Sequence, residues 1–199
     1  LPSKTSEIHP QNQHQRKIHY QIAFLSVGHV GSGLDAGPNI DQQLLKDEAG
    51  LPYLPGRTVK GLLRDALQDL AELSHRDYQP HIDRLFGIPD SGRERDGQPG
   101  QAVFSNAHLS TADREELLHY QLMPYLYRRF SSTAINAKTG TADDATLRSI
   151  ETCIPLKLYG FIEAPNWTEE ERAALKAAFR YLRHLGVQRN RGLGRCRFT

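Results

Sequence analysis

Arg57, Lys60 and Arg64 stand three and four positions apart in LPYLPGRTVKGLLRDAL, residues 51–67. On an α-helix that spacing gathers the three cations on one face. They also fall in the first two turns after Pro55-Gly56, where backbone amides lack partners and the helix dipole is positive. Cations are unfavourable at that end of a helix unless an anion joins them. A phosphate would satisfy the amides and the side chains together. A solvated amphipathic helix with badly placed charges is the plainer reading of the same residues.

A second basic stretch closes the chain. GVQRNRGLGRCRF, residues 186–198, sets Gly186, Gly192 and Gly194 among Arg189, Arg191, Arg195 and Arg197. Glycine lets a backbone approach a polyanion closely, and arginine grips phosphate with paired N–H groups. From Arg180 to Arg197 there are six arginines and no acidic residue, whereas Glu169, Glu170 and Glu171 gather upstream. Such a stripe is the electrostatic footprint of a phosphate partner. A tight helix-to-strand turn accounts for the glycines equally well. GHVGSG, residues 28–33, follows a strand pattern but precedes no helix, and its glycine spacing does not fit the dinucleotide fingerprint, so no nucleotide cofactor is expected. Cys153 and Cys196 lack metal-ligand spacing and read as free thiols of a reducing compartment.

These residues need a scaffold. The chain has 199 residues, 38% apolar and 24% charged, which suits one domain or one domain with a large insertion. Its net charge of +2 does not by itself indicate nucleic acid; the distribution carries that argument. No apolar run reaches the roughly 18 residues of a membrane helix, and no signal peptide precedes the first strand pattern. Residues 1–16 are polar, without apolar period, and read as a flexible leader; lacking an initiator Met, the start is expected to be processed or trimmed.

Ile18, Tyr20, Ile22 and Phe24 alternate within residues 17–27, which predicts a half-buried strand. Val59, Leu62, Leu63, Ala66, Leu67, Leu70 and Leu73 follow helical spacing. Residues 102–109 read as a strand, residues 124–151 as a long polar hairpin, and residues 154–162 as a second alternating strand. Thr168 and Glu171 form a capping box ahead of Leu175, Ala178, Phe179, Leu182 and Leu185, with Gly186 as the C-cap. Residues 196–199 make a last strand. The order strand, helix, strand, excursion, strand, helix, strand predicts an α+β fold. It is a ferredoxin-like (RRM-like) four-stranded antiparallel sheet with two helices and a protruding insertion. The second sheet face remains free, as in RNA-recognition modules.

Taken together, the motifs resemble the RAMP superfamily, and most nearly the backbone subunit of type III CRISPR effector complexes. The resemblance spans residues 17–199. It rests on Gly28-His29, on Asp41 within NIDQQLLKDEAG, on PGRTVKGLLR at residues 55–64 and on LFG at residues 85–87. AINAKTGTADDATL, residues 134–147, looks like the family's thumb, and RGLGRCRF closes the match. Arg57-Thr58 replaces the usual pair of small hydroxyl residues, and Asn136-Ala137 replaces the usual Asp-Arg pair of the thumb.

The resemblance implies a RAMP domain over residues 17–199 with a thumb insertion at about 124–152. It implies guide-RNA contacts from His29, Arg57, Lys60, Arg64, Arg189, Arg191, Gly192, Gly194 and Arg195. Ile135, Asn136, Lys138 and Leu147 would form the thumb that displaces a target nucleotide. Asp41 would serve as catalytic residue and as ligand of a divalent metal ion, Mg being expected. A displaced nucleotide can turn its 2′-OH in line with the scissile phosphate, giving a 2′,3′-cyclic phosphate and a 5′-OH. The implied partners are guide RNA, complementary target RNA and other CRISPR effector subunits, in the cytoplasm and without a membrane. Judged by loop chemistry alone, Asp41 reads as a turn aspartate capping its own backbone. Asp35 and Asp47 are rivals, of which Asp47 looks the more structural. Three readings stay open: a target-RNA endonuclease subunit, a non-catalytic RNA-binding backbone subunit, and a guide-processing endoribonuclease. The long polar excursion favours the first two.

Overall fold

The computed structural model describes residues 16–29, 44–90, 97–133, 139–141, 148–186 and 191–199. Asp41, the thumb residues Ile135, Asn136, Lys138 and Leu147, and Arg189 lie outside the described residues. The elements run β1 (Lys17–Phe24), α1 (Gly56–Ser74), α2 (Gln79–Phe86), β2 (Gly87–Ile88), β3 (Gln98–Pro99) and β4 (Val103–Phe104). They continue with α3 (Thr111–His119), a 3-10 turn at Met123–Leu126, β5 (Tyr127–Ser132) and β6 (Arg148–Cys153). β7 (Lys157–Glu163), α4 (Glu169–Tyr181) and β8 (Cys196–Phe198) complete the chain.

The main sheet has the order β4-β7-β1-β8. β8 pairs antiparallel with β1, Ile22 facing Phe198 and Phe24 facing Cys196. β4 pairs antiparallel with β7, Val103 facing Glu163. β7 and β1 also run in opposite directions: Phe24 N donates to Leu156 O, and Ala164 N donates to Arg16 O. This is the ferredoxin-like α+β fold, with the alternation expected of half-buried strands. Tyr20, Ile22 and Phe24 of β1 and Leu158 and Ile162 of β7 are buried.

Two compact units share this chain. The first draws on Leu1–Tyr20, Pro55–Asn106 and Gly160–Tyr181. Its core is Val59, Leu63, Ala66 and Leu67 of α1, Ile82 and Leu85 of α2, and Leu175, Ala178 and Phe179 of α4. Tyr20 meets Phe179 with ring centroids 5.9 Å apart. The capping box of α4 is formed in both directions: Thr168 N donates to Glu171 Oε2 at 3.0 Å, and Glu171 N donates to Thr168 Oγ1 at 3.1 Å. Glu171 is fully buried, and Arg84 of α2 holds both its oxygens at 2.8 Å. Burial pushes the Glu171 carboxyl up, but the Arg84 bonds, the Thr168 amide and the Arg84 and His81 charges outweigh it and hold it below its ordinary range.

The second unit draws on Gln21–Leu54, Ala107–Tyr159 and Leu182–Thr199. Leu44, Leu51, Leu126 and Cys153 form one of its buried clusters. β5 and β6 make a separate antiparallel ribbon, Tyr127 facing Cys153 and Ser132 facing Arg148. No helix among the described residues is long and apolar enough to cross a membrane.

Several sequence expectations change. The first strand stops at Phe24 rather than at residue 27, because Gly28 leaves to bridge Cys153. The strand expected over residues 102–109 contributes only Val103–Phe104 to the sheet. Ala107 turns away to exchange backbone bonds with Leu54. Leu73 lies past the buried part of α1 and is 69% exposed. α4 ends at Tyr181, so Leu182 and Leu185 lie beyond it and Gly186 is not its C-cap. Leu185 is nonetheless buried, its N–H donating to Gly194 O. Two helices, α2 and α3, were not anticipated.

Candidate nucleic-acid interface

The first candidate is the start of α1, in the first unit. Pro55 is its N-cap, extended at φ −62° and ψ 142°, and provides no side-chain cap. Asn106 substitutes: its Oδ1 accepts from Gly56 N at 2.9 Å. Glycine is required at position 56 because a Cβ there would overlap the Phe104 carbonyl. The PG of the motif is thus a packing device that seats the helix start on the β4 backbone. No acidic residue occupies the first turn. Arg57 is exposed and Lys60 half-buried, and among the described residues neither meets a carboxylate. Arg64 is half-buried, and its Nη2 donates to Gly87 O at 3.2 Å, so part of its guanidinium is committed to holding β2.

The second candidate lies in the second unit, where the Gly28-His29 turn meets the carboxyl-terminal loop. Gly28 exchanges two backbone bonds with Cys153, at 3.0 and 2.8 Å. His29 is fully buried, and its Nδ1 lies 2.6 Å from the Glu151 carbonyl oxygen. The ring bonds inward, and among the described residues its Nε2 is buried without a partner. Gly186, at φ 83°, lets the tail pass the His29 carbonyl, which a Cβ would overlap. Gly194, at φ 69°, makes the same close approach to the Leu185 carbonyl, while its N–H donates to Val27 O at 2.8 Å. Around these anchors Arg191, Gly192 and Arg195 are exposed. The structure therefore brings His29 together with Gly186, and Gly194 with Leu185 and Val27, and it leaves Arg191 and Arg195 exposed to solvent.

Sequence reading missed the polar cluster beside this turn. Glu151 of β6 accepts from Leu44 N at 3.2 Å and from Lys46 Nζ at 2.8 Å. Lys46 Nζ also lies 3.9 Å over the Tyr127 ring. Asp47 accepts from Ala49 N at 2.9 Å and Leu51 N at 3.0 Å and pairs with Arg114. Burial pushes the Asp47 carboxyl up, but the Arg114 bond and charge and the two amides together hold it below its ordinary range. Asp47 is thus a structural loop aspartate. Apart from the Ala49 and Leu51 amides, which Asp47 caps locally, these partners lie far apart in sequence and carry no local motif. Burial, then the Glu151 charge, pushes the Cys153 thiol up to about 12, and burial pushes Cys196 up to about 12, so both stay protonated at neutral pH.

No group of three or more His, Cys, Asp or Glu suited to a metal ion occurs among the described residues. The divalent ion implied by the resemblance thus finds no ligand set there, and Asp41 lies outside them.

The strand order and the helices define a ferredoxin-like domain whose glycine-linked basic segments suit a polyanion. The RAMP superfamily model matches residues 22–197, and the chain belongs to that superfamily. No curated protein sequence matches it significantly. Among solved structures it is similar to a chain of a type III-B Cmr-beta complex in the apo state, with TM-score 0.67 and 13% identity, covering 94% of this chain and 98% of that one. A chain of type III-B Cmr-beta bound to cognate target RNA gives TM-score 0.66 and 12% identity over 92% and 96% of the two chains.

Proposed function

We propose that this chain is a guide-RNA-binding backbone subunit of a type III CRISPR interference complex and that it cuts complementary target RNA. The observation that carries the RNA reading is the start of α1, where Arg57 and Lys60 stand over a helix terminus with no first-turn acid. Membership of the RAMP superfamily and likeness in fold to subunits of Cmr-beta complexes, one bound to cognate target RNA, support it. Guide RNA, target RNA and neighbouring effector subunits are the partners, and the cytoplasm is the compartment.

In this reading Arg57, Lys60 and the exposed Arg191 and Arg195 hold phosphates, each acting as a bidentate or point cation. Arg189 extends the same stretch. Arg64 contributes with the N–H groups not given to Gly87. The thumb residues Ile135, Asn136, Lys138 and Leu147 separate guide from target. Asp41 serves the cut, in which a 2′-OH attacks the adjacent phosphate and the 5′-oxygen leaves. A bound divalent ion such as Mg would neutralise charge at that phosphate.

The test is to incubate the assembled complex with end-labelled complementary RNA, with and without Mg²⁺. Asp41→Ala is expected to assemble and bind target normally while cutting at least about 100-fold more slowly, the scale of one lost catalytic group. Chelation is expected to match that variant. Near-normal cutting by Asp41→Ala with metal present would assign catalysis to Asp35 or a sister subunit.

A further inference from the structure

We infer that the second unit carries a stacking site for unpaired nucleotides of single-stranded RNA, built from Tyr53, His108 and Tyr159 with Lys157 and Arg197 on the same side. The site shares no residue with the two candidates above, and it rests on the proposed function only in naming RNA. Backbone pairing sets the three rings in register. Leu54 exchanges two backbone bonds with Ala107, at 2.9 and 2.8 Å, and His108 exchanges two with Tyr159, at 3.0 and 2.7 Å. Leu54 and Ala107 are fully buried, so their neighbours Tyr53 and His108 turn to the other side. There the two rings stack, with centroids 5.4 Å apart and planes 9° from parallel. Tyr159 stands directly opposite His108 and extends the row, 39% exposed.

The same face is basic. Leu158 of β7 is buried, and Lys157 and Tyr159 on either side of it are exposed. Arg197, exposed between buried Cys196 and Phe198, faces Ala23, which lies between buried Ile22 and Phe24. Lys157, Tyr159 and Arg197 thus share the sheet face opposite the core. Among the described residues neither Lys157 nor Arg197 meets a carboxylate. An exposed ring or a surface cation alone needs no explanation. Three rings in a row with unpaired cations on one face are what a single strand needs: its bases stack on the rings and its phosphates meet the cations. β7 itself reads KLYGFIE. Recognition strands of RNA-binding sheets carry a cation, an aromatic two positions on, then a small residue and a second aromatic. Lys157, Tyr159, Gly160 and Phe161 fit that pattern, while Leu158 stands where it has glycine. Phe161 belongs to the first unit, and the site is complete without it.

A duplex keeps its bases within its own stack, so only a single strand can use the rings. The purified full chain is titrated with labelled oligoadenylate, alone and as its duplex with oligouridylate, over a range of salt. Tyr159→Leu is expected to weaken single-strand binding at least about 5-fold, the loss of one stacked base, with salt slope and duplex affinity unchanged. Tyr159→Phe, which keeps the ring, is expected to bind as wild type. Lys157→Ala with Arg197→Ala is expected to lower the slope of log affinity against log salt by about 1.4, the counterion release of two single-strand contacts. Normal single-strand binding by Tyr159→Leu overturns the site, as does equal weakening on the duplex or a Tyr159→Phe chain that binds no better. If Tyr159→Leu melts below wild type, the Lys157→Ala, Arg197→Ala chain decides, and an unchanged slope there overturns the site. A Tyr159→Leu chain that binds RNA normally yet no longer enters the effector complex assigns the face to a protein neighbour instead. The proposed function fails separately. Wild-type affinity in Arg57→Ala with Lys60→Ala removes the start of α1 from the interface and, with the Tyr159→Leu loss, leaves this site standing. A wild-type chain that binds no single strand overturns both.

Discussion

At the start of α1, Arg57 and Lys60 meet no carboxylate among the described residues, whereas beside the β5–β6 ribbon Lys46 and Arg114 each bond to one. Both regions are rich in charge, yet their charges have different work. The paired set holds chain segments that are distant in sequence, Lys46 to Glu151 and Asp47 to Arg114, while Asp47 also caps the nearby amides of Ala49 and Leu51. Among the described residues the unpaired set meets no carboxylate, and it occupies a helix end that disfavours cations. Paired and shielded charge belongs to folding. Charge left unpaired where it costs stability points to a ligand that completes it.

The largest expected effect comes from breaking the paired set. Asp47→Ala strands two amides and Arg114, and is expected to lower stability by about 2–3 kcal/mol at pH 7, the scale of unsatisfied buried polar groups. The Asp47 pKa is lower folded than unfolded, so its stabilisation is present above its ordinary value of 3.8 and is lost as pH falls through the folded value. Glu171 follows the same sign from its ordinary value of 4.5. Urea unfolding at pH 7 and near pH 3 measures both: the gap between wild type and Asp47→Ala is expected to shrink in acid. A gap that stays constant with pH would mean that the carboxylate charge contributes nothing there.

A smaller effect on stability, and a different readout, is expected at α1. Arg57→Ala with Lys60→Ala is expected to change stability by less than about 0.5 kcal/mol, as surface substitutions do. Guide affinity falls, and the slope of log affinity against log salt drops by about 1.4, the counterion release of two phosphate contacts on a single strand. If the slope is unchanged, these cations are ordinary surface and the contrast between the two regions fails.

What the sequence showed of this follows from the range of each interaction. The β1 and β7 faces, the buried stripe of α1 through Leu67 and the Thr168–Glu171 box are local patterns, and all appear in the structure. α2 had a readable pattern in Ile82, Leu85 and Phe86 after Pro80, hidden by the polar residues around it. α3 had none on which a hydrophobic period could register, since it buries no residue; only the Ser110 cap on Asp113 marks it. Glu151 and Arg84 were invisible for another reason. A charge on a strand or helix face reads as solvated until folding brings a partner from far along the chain. The burial of the His29 ring was hidden in the same way, because its partner is a backbone carbonyl that any residue at position 151 supplies.

The smallest expected effect is also the most discriminating, because its two readouts move in opposite directions. Gly61 lies within α1, four residues after Arg57 and three before Arg64, and so shares their face. Unlike Gly56, it meets no close neighbour that requires glycine: among the described residues a Cβ there would meet nothing within 4 Å. A glycine inside a helix costs roughly 0.5–1 kcal/mol relative to alanine. Gly61→Ala is therefore expected to stabilise the fold by about that amount, raising the melting temperature by about 2–4 °C per kcal/mol in a chain of this size. If a phosphate backbone lies against this face between the two arginines, the added methyl holds it off. Guide affinity then falls several-fold although every cation remains. Melting and guide titration of the single variant decide the matter. A higher melting temperature with lower affinity places the ligand directly on the helix backbone at Gly61. A higher melting temperature with unchanged affinity restricts the interface to the long side chains, and the unpaired charges of α1 act at a distance from the helix rather than against it.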